Sequence, residues 1–199
     1  MADNYAKIVQ DNLKKIYENL AEDPDRHLPG NRKGDGFAFE AFGERCEVGP
    51  DGIFFGKNRA SGVLGILISL YVLHAGPEPC ILEPLKAFKD FPNSMPYAGA
   101  FVTHTQQILV SHAERITQAK DRIVERFRGQ AAPAHAGGDI SFVVYPLPKI
   151  ALCYIIYDAD EDFPASVTCL YSSNALSFIP IDGLADVGEY TSKKIIDLL

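Results

Sequence analysis

The sequence predicts an α+β fold, a mainly antiparallel sheet with covering helices, and three features carry that expectation. Residues 140–145, 150–157 and 167–171 are runs rich in Ile, Val, Tyr and Cys, the side chains that suit a pleated, buried surface. The links between these runs are too short for the crossover that parallel strands need, so the strands are expected to pair antiparallel. Upstream, 37–55 carries Gly49-Pro50-Asp51-Gly52 between apolar runs, which is turn chemistry for a β-hairpin added to the same sheet. The helical periodicities that fill the rest of the chain then cover this sheet. The 199 residues are expected to form a single domain over 1–199, with a helical and Pro-rich segment at about 77–129.

Taken in order, Asp3 is expected to cap a first helix with Tyr5, Ile8, Val9, Leu13, Ile16, Tyr17 and Leu20 on one face, ended by Pro24. Residues 25–36 read as a loop. Its Gly30-to-Gly36 stretch has neither GxGxxG nor Gly-Lys-Ser/Thr, so a phosphate cradle has little support. Within the hairpin the alternation changes phase near Phe42-Gly43, which predicts a bulge at Gly43.

Residues 59–74 are apolar nearly all round and predict a central helix, with Gly62 and Gly65 allowing close approach of another backbone. Gly76-Pro77 stops it, and His74 is placed to cap its last carbonyls. The segment 77–96 holds five prolines and is expected to be irregular, forming the lid or rim of any pocket.

From 97 to 127 the period is helical, with a break expected at 111–114 and a stop at Gly129. His104 and His112 share a face about 12 Å apart on a straight helix and so do not share one metal. Residues 130–137 read as a linker. The run 150–157 has no alternation and predicts a central strand buried on both faces. Residues 177–179 suggest a short strand, and Asp182 a cap for a last helix.

The net charge of −7 and scattered Lys and Arg argue against a nucleic-acid partner. The longest apolar helix candidate, 63–73, falls short of the roughly 20 residues that span a bilayer, so no membrane partner is expected. Residues 1–10 carry Asp3 and no apolar signal core, which makes the cytoplasm the expected location. Cys46, Cys80, Cys153 and Cys169 show no CxxC pair and are expected to be free thiols.

Two segments carry candidate chemistry. Phe88-Lys89-Asp90-Phe91 pairs two aromatics with a Lys and an Asp; its plain reading is two anchors with solvated charges between them. Asp158, Asp160, Glu161 and Asp162 form the most acidic patch, following the central strand. Asp158, Asp160 and Asp162 have the spacing of a calcium loop's first ligands, but Phe163 stands where Gly is needed and Cys169 where the closing Glu belongs. The patch is either a solvated turn or a rim for a divalent ion or cationic ligand. No GxSxG elbow occurs, and Cys46 and Cys80 lack local support as nucleophiles.

The hairpin FAFEAFGERCEVGPDGIFFG, the helix RASGVLGILISLYVLHAG, the motif FKDFP, the run GDISFVVYPLPKIALCYIIYDADEDFPASVTCLY and LSFIPIDGLADVGEY together resemble one family. It is a domain-of-unknown-function family (number 3786) of anaerobic bacteria and archaea, and the resemblance spans nearly the whole chain. Its strongest piece is Pro148 ahead of an apolar strand, followed by Asp160-Glu161-Asp162-Phe163-Pro164. Some relatives carry a cysteine-rich iron–sulfur module and are associated with corrinoid or one-carbon chemistry. This chain lacks that cysteine cluster, so cluster binding does not carry over, and the family offers no catalytic residues to transfer.

The expected function is therefore a cytoplasmic module binding a small ligand or cofactor, with a link to anaerobic corrinoid or one-carbon metabolism. The alternative is an enzyme using the acidic loop, with Lys89 and Asp90 or a histidine, and a divalent cation. A third reading is a protein–protein adaptor needing no pocket. The sequence specifies no cofactor, metal or oligomeric state.

Overall fold

The strands divide into two antiparallel sheets, where one was expected. The computed structural model describes residues 2–22 and 29–199. The first sheet is a meander in chain order of β1 (Asn31–Lys33), β2 (Gly36–Ala41), β3 (Glu44–Gly49), β4 (Gly52–Phe55) and β5 (Asn58–Arg59). The second is built from β6 (Lys86–Ala87), β7 (Gln130–Ala131), β8 (Ile140–Leu147), β9 (Ile150–Tyr157) and β10 (Ser166–Tyr171), in the order β6-β10-β9-β8-β7. Part of the loop expected at 25–36 is thus strand β1, paired with β2; residues 23–28, including the helix stop expected at Pro24, lie outside the described residues. The linker expected at 130–137 likewise begins with β7.

The phase change at Phe42-Gly43 is a two-residue turn between β2 and β3, not a bulge. Ala41 faces Glu44 across it, and φ is +50° at Phe42 and +76° at Gly43. Positive φ at both positions gives the twist a tight hairpin needs, although a bulky residue rarely accepts it. Tertiary contacts hold Phe42 there. Its N–H donates to the Pro146 carbonyl at 2.6 Å, and its buried ring meets Tyr190 edge-on at 4.6 Å. The turn therefore fastens the first sheet to the second.

Strand β9 lies at the centre of its sheet, antiparallel to both β8 and β10, as its composition predicts. Alternate residues serve two cores. Leu152, Tyr154 and Ile156 face the main core, while Ala151, Cys153 and Ile155 face a smaller one covered by Cys80, Leu82, Leu85, Ala132 and Ala136. An apolar run without alternation is what a strand covered on both faces requires. The Pro-rich segment supplies Cys80, Leu82 and Leu85 to that cover. Asn174 pins it, accepting from the Ile81 N–H at 2.8 Å and donating to the Pro79 carbonyl at 2.9 Å.

The first helix, α1 (Ala2–Glu22), already includes Asp3, so Asp3 is not the residue ahead of it. Val9, Leu13 and Ile16 bury against α2 (Gly62–His74), and Asn12 Nδ2 donates to Ser69 Oγ at 3.0 Å inside that interface. A Cβ at Gly65 would come within 3.1 Å of Val9 Cγ2, so this glycine sets the helix spacing. A Cβ at Gly62 would meet nothing within 4 Å; its φ of +60° is what favours glycine there. His74 Nδ1 meets the Leu70 carbonyl at 2.8 Å, the capping role expected of it.

The long helical stretch breaks where expected, at Ser111-His112, into α3 (Met95–Phe101), a π-helical turn (Val102–Gln107), α4 (Ile108–Val110) and α5 (Ala113–Arg126). Beyond it the left-handed residue is Arg128, with φ +50°. Gly129 serves a different need, because a Cβ there would lie 2.1 Å from the Val143 carbonyl oxygen of β8.

Residues Ala175–Ser177 form a 3₁₀ turn where a strand was expected at 177–179. The last helix, α6 (Ile181–Asp197), begins after Pro180, and Asp182 sits in its first turn rather than ahead of it. Helix α6 lays small residues against β9, β10 and the π-helical turn. Tyr171 Oη donates to the Leu184 carbonyl at 2.8 Å, and Ser192 Oγ donates to the Thr105 carbonyl at 2.8 Å. Ser192 has one proton, so the Tyr154 hydroxyl, 3.0 Å away, donates to it. One continuous apolar cluster runs from α1 to α6. No helix among the described residues is long and apolar enough to cross a membrane.

Candidate functional site

The two candidate segments lie at opposite ends of β10. Strand β6 pairs with its far end, Ala87 facing Leu170 and Lys86 facing Tyr171, which places Phe88–Asp90 beside Tyr171. The acidic loop leads into its near end, where Ser166 faces Tyr157. A strand of this length separates them by roughly 17 Å. They do not converge on one pocket.

Phe88 and Phe91 are core anchors. Both are buried; Phe88 stacks on Phe101 at 4.5 Å, and both rings contact Tyr171, at 6.1 and 5.9 Å. Lys89 and Asp90 point into solvent between them. Ser94 Oγ closes the turn on the Lys89 carbonyl at 3.0 Å. Over Phe88–Ser94 the segment therefore covers core.

The acidic loop is built around Asp160. Its Oδ1 accepts from the N–H groups of Asp162 (2.9 Å) and Phe163 (2.7 Å), and its own N–H donates to the Phe163 carbonyl at 3.0 Å. The Asp158 N–H donates to Asp139 Oδ2 at 2.9 Å, and the Asp139 N–H to the Ile156 carbonyl at 2.9 Å. Asp139 escaped the sequence reasoning. The β8–β9 register, Ile140 facing Ile156, puts it beside Tyr157, and Gly138 before it has a φ of +81° that brings the chain close against β9. Asp139, Tyr157, Asp158, Asp160 and Phe163 line one cavity of about 450 Å³. Glu161 and Asp162 are exposed and are not part of that lining. Tyr157 and Phe163 remain 46% and 70% exposed. Among the described residues no three His, Cys, Asp or Glu side chains gather to hold a metal ion.

The thiols offer no nucleophile poised at neutral pH. Burial pushes Cys46 up to about 12 and Cys153 to about 11, and raises Cys80 despite hydrogen bonds from Ser172 and the Ala151 N–H. His135 stands 3.5 Å from Glu83 at the surface.

A second concave region, with no motif to announce it, runs along α1. One cavity of about 820 Å³ is lined by Gln10, Lys14, Tyr17, Glu18, Asp51 and Arg59 among others; an adjoining one of about 450 Å³ shares Gln10 and Arg59 and adds Tyr5, Ser61 and Gly62. Lys14 is 3.7 Å from Glu18, so these two charges pair. Desolvation, then Asp35 and Asp51, pushes the Tyr17 hydroxyl up to about 12.

The model of a family described as Domain of unknown function (DUF3786) matches residues 18–194, and the chain belongs to that family. No curated protein and no solved structure matches the chain.

Proposed function

We propose that this family member is a binding module for a small organic cation, an amine or quaternary ammonium group, taken at the notch between Asp139 and the β9–β10 turn. One observation carries the reading: Tyr157 and Phe163 are left exposed on a single cavity whose charged lining groups are the carboxylates of Asp139, Asp158 and Asp160. An aromatic face attracts a cation by about 0.5–1 kcal/mol at an exposed site, and carboxylates add a salt-dependent attraction. A diffuse ammonium group suits this arrangement better than a metal ion, which needs several ligands converging on one point. Backbone N–H groups already fix one oxygen each of Asp139 and Asp160, so the carboxylates are oriented before a ligand arrives.

The enzyme alternative has no observation in its favour, because Lys89 and Asp90 stand at the other end of β10 from the acidic loop. A connection to corrinoid or one-carbon chemistry rests on the family resemblance alone, and no described side chain adds to it.

Calorimetric titration with choline and putrescine at low salt tests the proposal. Dissociation constants on the order of millimolar are expected. Asp160→Asn keeps the Oδ1 acceptor and should weaken binding without lowering the melting temperature; Phe163→Ala should weaken it similarly. Absence of heat at about 10 mM ligand, or undiminished binding by Phe163→Ala, would refute the reading.

A further inference from the structure

We infer a second, separate site, in which Arg59 binds the carboxylate of a small organic acid whose apolar part lies along α1. Arg59 ends β5 at the edge of the first sheet, and Ala60 and Ser61 link it to α2. Its guanidinium lies over Gly52, where a Cβ would come within 3.0 Å of Nε and 3.3 Å of Cζ, so a glycine there is what leaves it room. Nη2 donates to the Asp51 carbonyl at 2.8 Å, which orients the group. Among the described residues Arg59 has no carboxylate partner. Most of its five donors are therefore unspent, in the planar fork that matches a carboxylate.

The adjoining cavity decides the charge and shape of the ligand. Arg59 is the one charged residue among the described residues lining the 450 Å³ cavity. Around it stand the Ser61 hydroxyl, which makes no cap bond to α2, and the Gln10 amide. Tyr5, Ala6 and Val9 give the α1 wall an apolar surface. One guanidinium balances a single negative charge. A dianionic phosphate would call for a second cation, and Lys14 of the neighbouring cavity is paired with Glu18. A monocarboxylate with a hydrocarbon part fits this set of donors and walls.

The test uses the whole chain, ¹⁵N-labelled, titrated with octanoate and, as a control of equal length and opposite charge, octylammonium. Octanoate should shift the amides of Ala60, Gly62 and Val63 in a saturable way, and Arg59→Gln should weaken that binding by at least about tenfold. A second variant guards against a folding effect: Ala6→Asp, at an exposed position of α1, puts a carboxylate on the cavity wall and should also abolish octanoate binding. Unchanged octanoate binding by Arg59→Gln, no saturable shift in the parent protein, or equal shifts by octylammonium at these amides would each overturn the inference. The cation notch lies on the other sheet, so the two outcomes are read from different amides.

Discussion

Gly188 should be among the least replaceable residues in the chain, and the structure gives the size of the effect. A Cβ at this position would lie 2.5 Å from Tyr171 Oη, 2.7 Å from Phe101 Cε2 and 3.2 Å from Thr105 Cγ2. The two nearest of these neighbours are held in place. Tyr171 Oη is bonded to the Leu184 carbonyl at 2.8 Å, and Phe101 is stacked on Phe88. Overpacking of this kind costs about 1–3 kcal/mol, and a displaced buried hydroxyl that loses its partner costs a similar amount. Against this, Ala gains about 1 kcal/mol over Gly in a helix interior. With each steric cost in the lower half of its range, about 1.5 kcal/mol, the steric terms win and Gly188→Ala should lose about 2 kcal/mol. With an m-value of roughly 2 kcal/mol/M, the urea midpoint should fall by about 1 M. Gly99→Ala is the matched control, in a helix with nothing within 4 Å of its Cβ, and should raise stability by about 0.5–1 kcal/mol. Combining Gly188→Ala with Tyr171→Phe, which removes the nearest obstructing atom, should recover part of the loss. A Gly188→Ala midpoint equal to or above that of the parent would refute this account of the α6 packing.

Thr105 Oγ1 is buried and has no hydrogen-bond partner among the described residues, so Thr105→Val should be neutral or stabilise by about 1 kcal/mol in the same urea assay; a loss of that size would mean the hydroxyl is satisfied. Raised values at Cys46 and Tyr17 (about 12) and Cys153 (about 11) mean the folded chain holds these protons more tightly than the unfolded one. Their contribution to stability should therefore be constant below about pH 9 and be lost as pH climbs from there towards 12, and urea midpoints that rise over that window would contradict the burial of these groups. All four cysteines are free, with Cys80 half-buried and the others buried, so a thiol reagent should modify one site quickly in native protein and all four after denaturation. Fast modification of Cys153 would mean that the cover over β9 opens readily.

The second sheet was legible because its evidence is local: an apolar run without alternation and links too short to cross over leave few arrangements for β8, β9 and β10. The split into two sheets was not, since nothing local in the hairpin says which other strands it meets. At Phe42-Gly43 the signal was visible but ambiguous. A phase change fits a bulge or a tight turn, and Phe at positive φ argues against the turn until Pro146 and Tyr190 are seen to hold it. At the sites, local composition found the carboxylates of 158–162, whereas Asp139 entered only through strand register. FKDFP looked functional because aromatics beside charges mark both pockets and core anchors, and burial alone separates the two. The α1 cavities left no trace in any motif, because they arise from the spacing of elements and not from a run of residues.

The Phe42 turn also has a consequence for the order in which the fold can be completed. The first sheet is made of successive short pairings and can close from a contiguous stretch of nascent chain. The second sheet has to wait, because β6 finds its partner only once β10 has been made. Phe42 also has to wait: its backbone partner comes with β8, and the ring that packs against its own comes with α6. Until Tyr190 leaves the ribosome, the nascent chain carries an aromatic ring in a strained turn without its native cover. That interval is when chaperone capture or a wrong intermolecular contact competes most directly with folding.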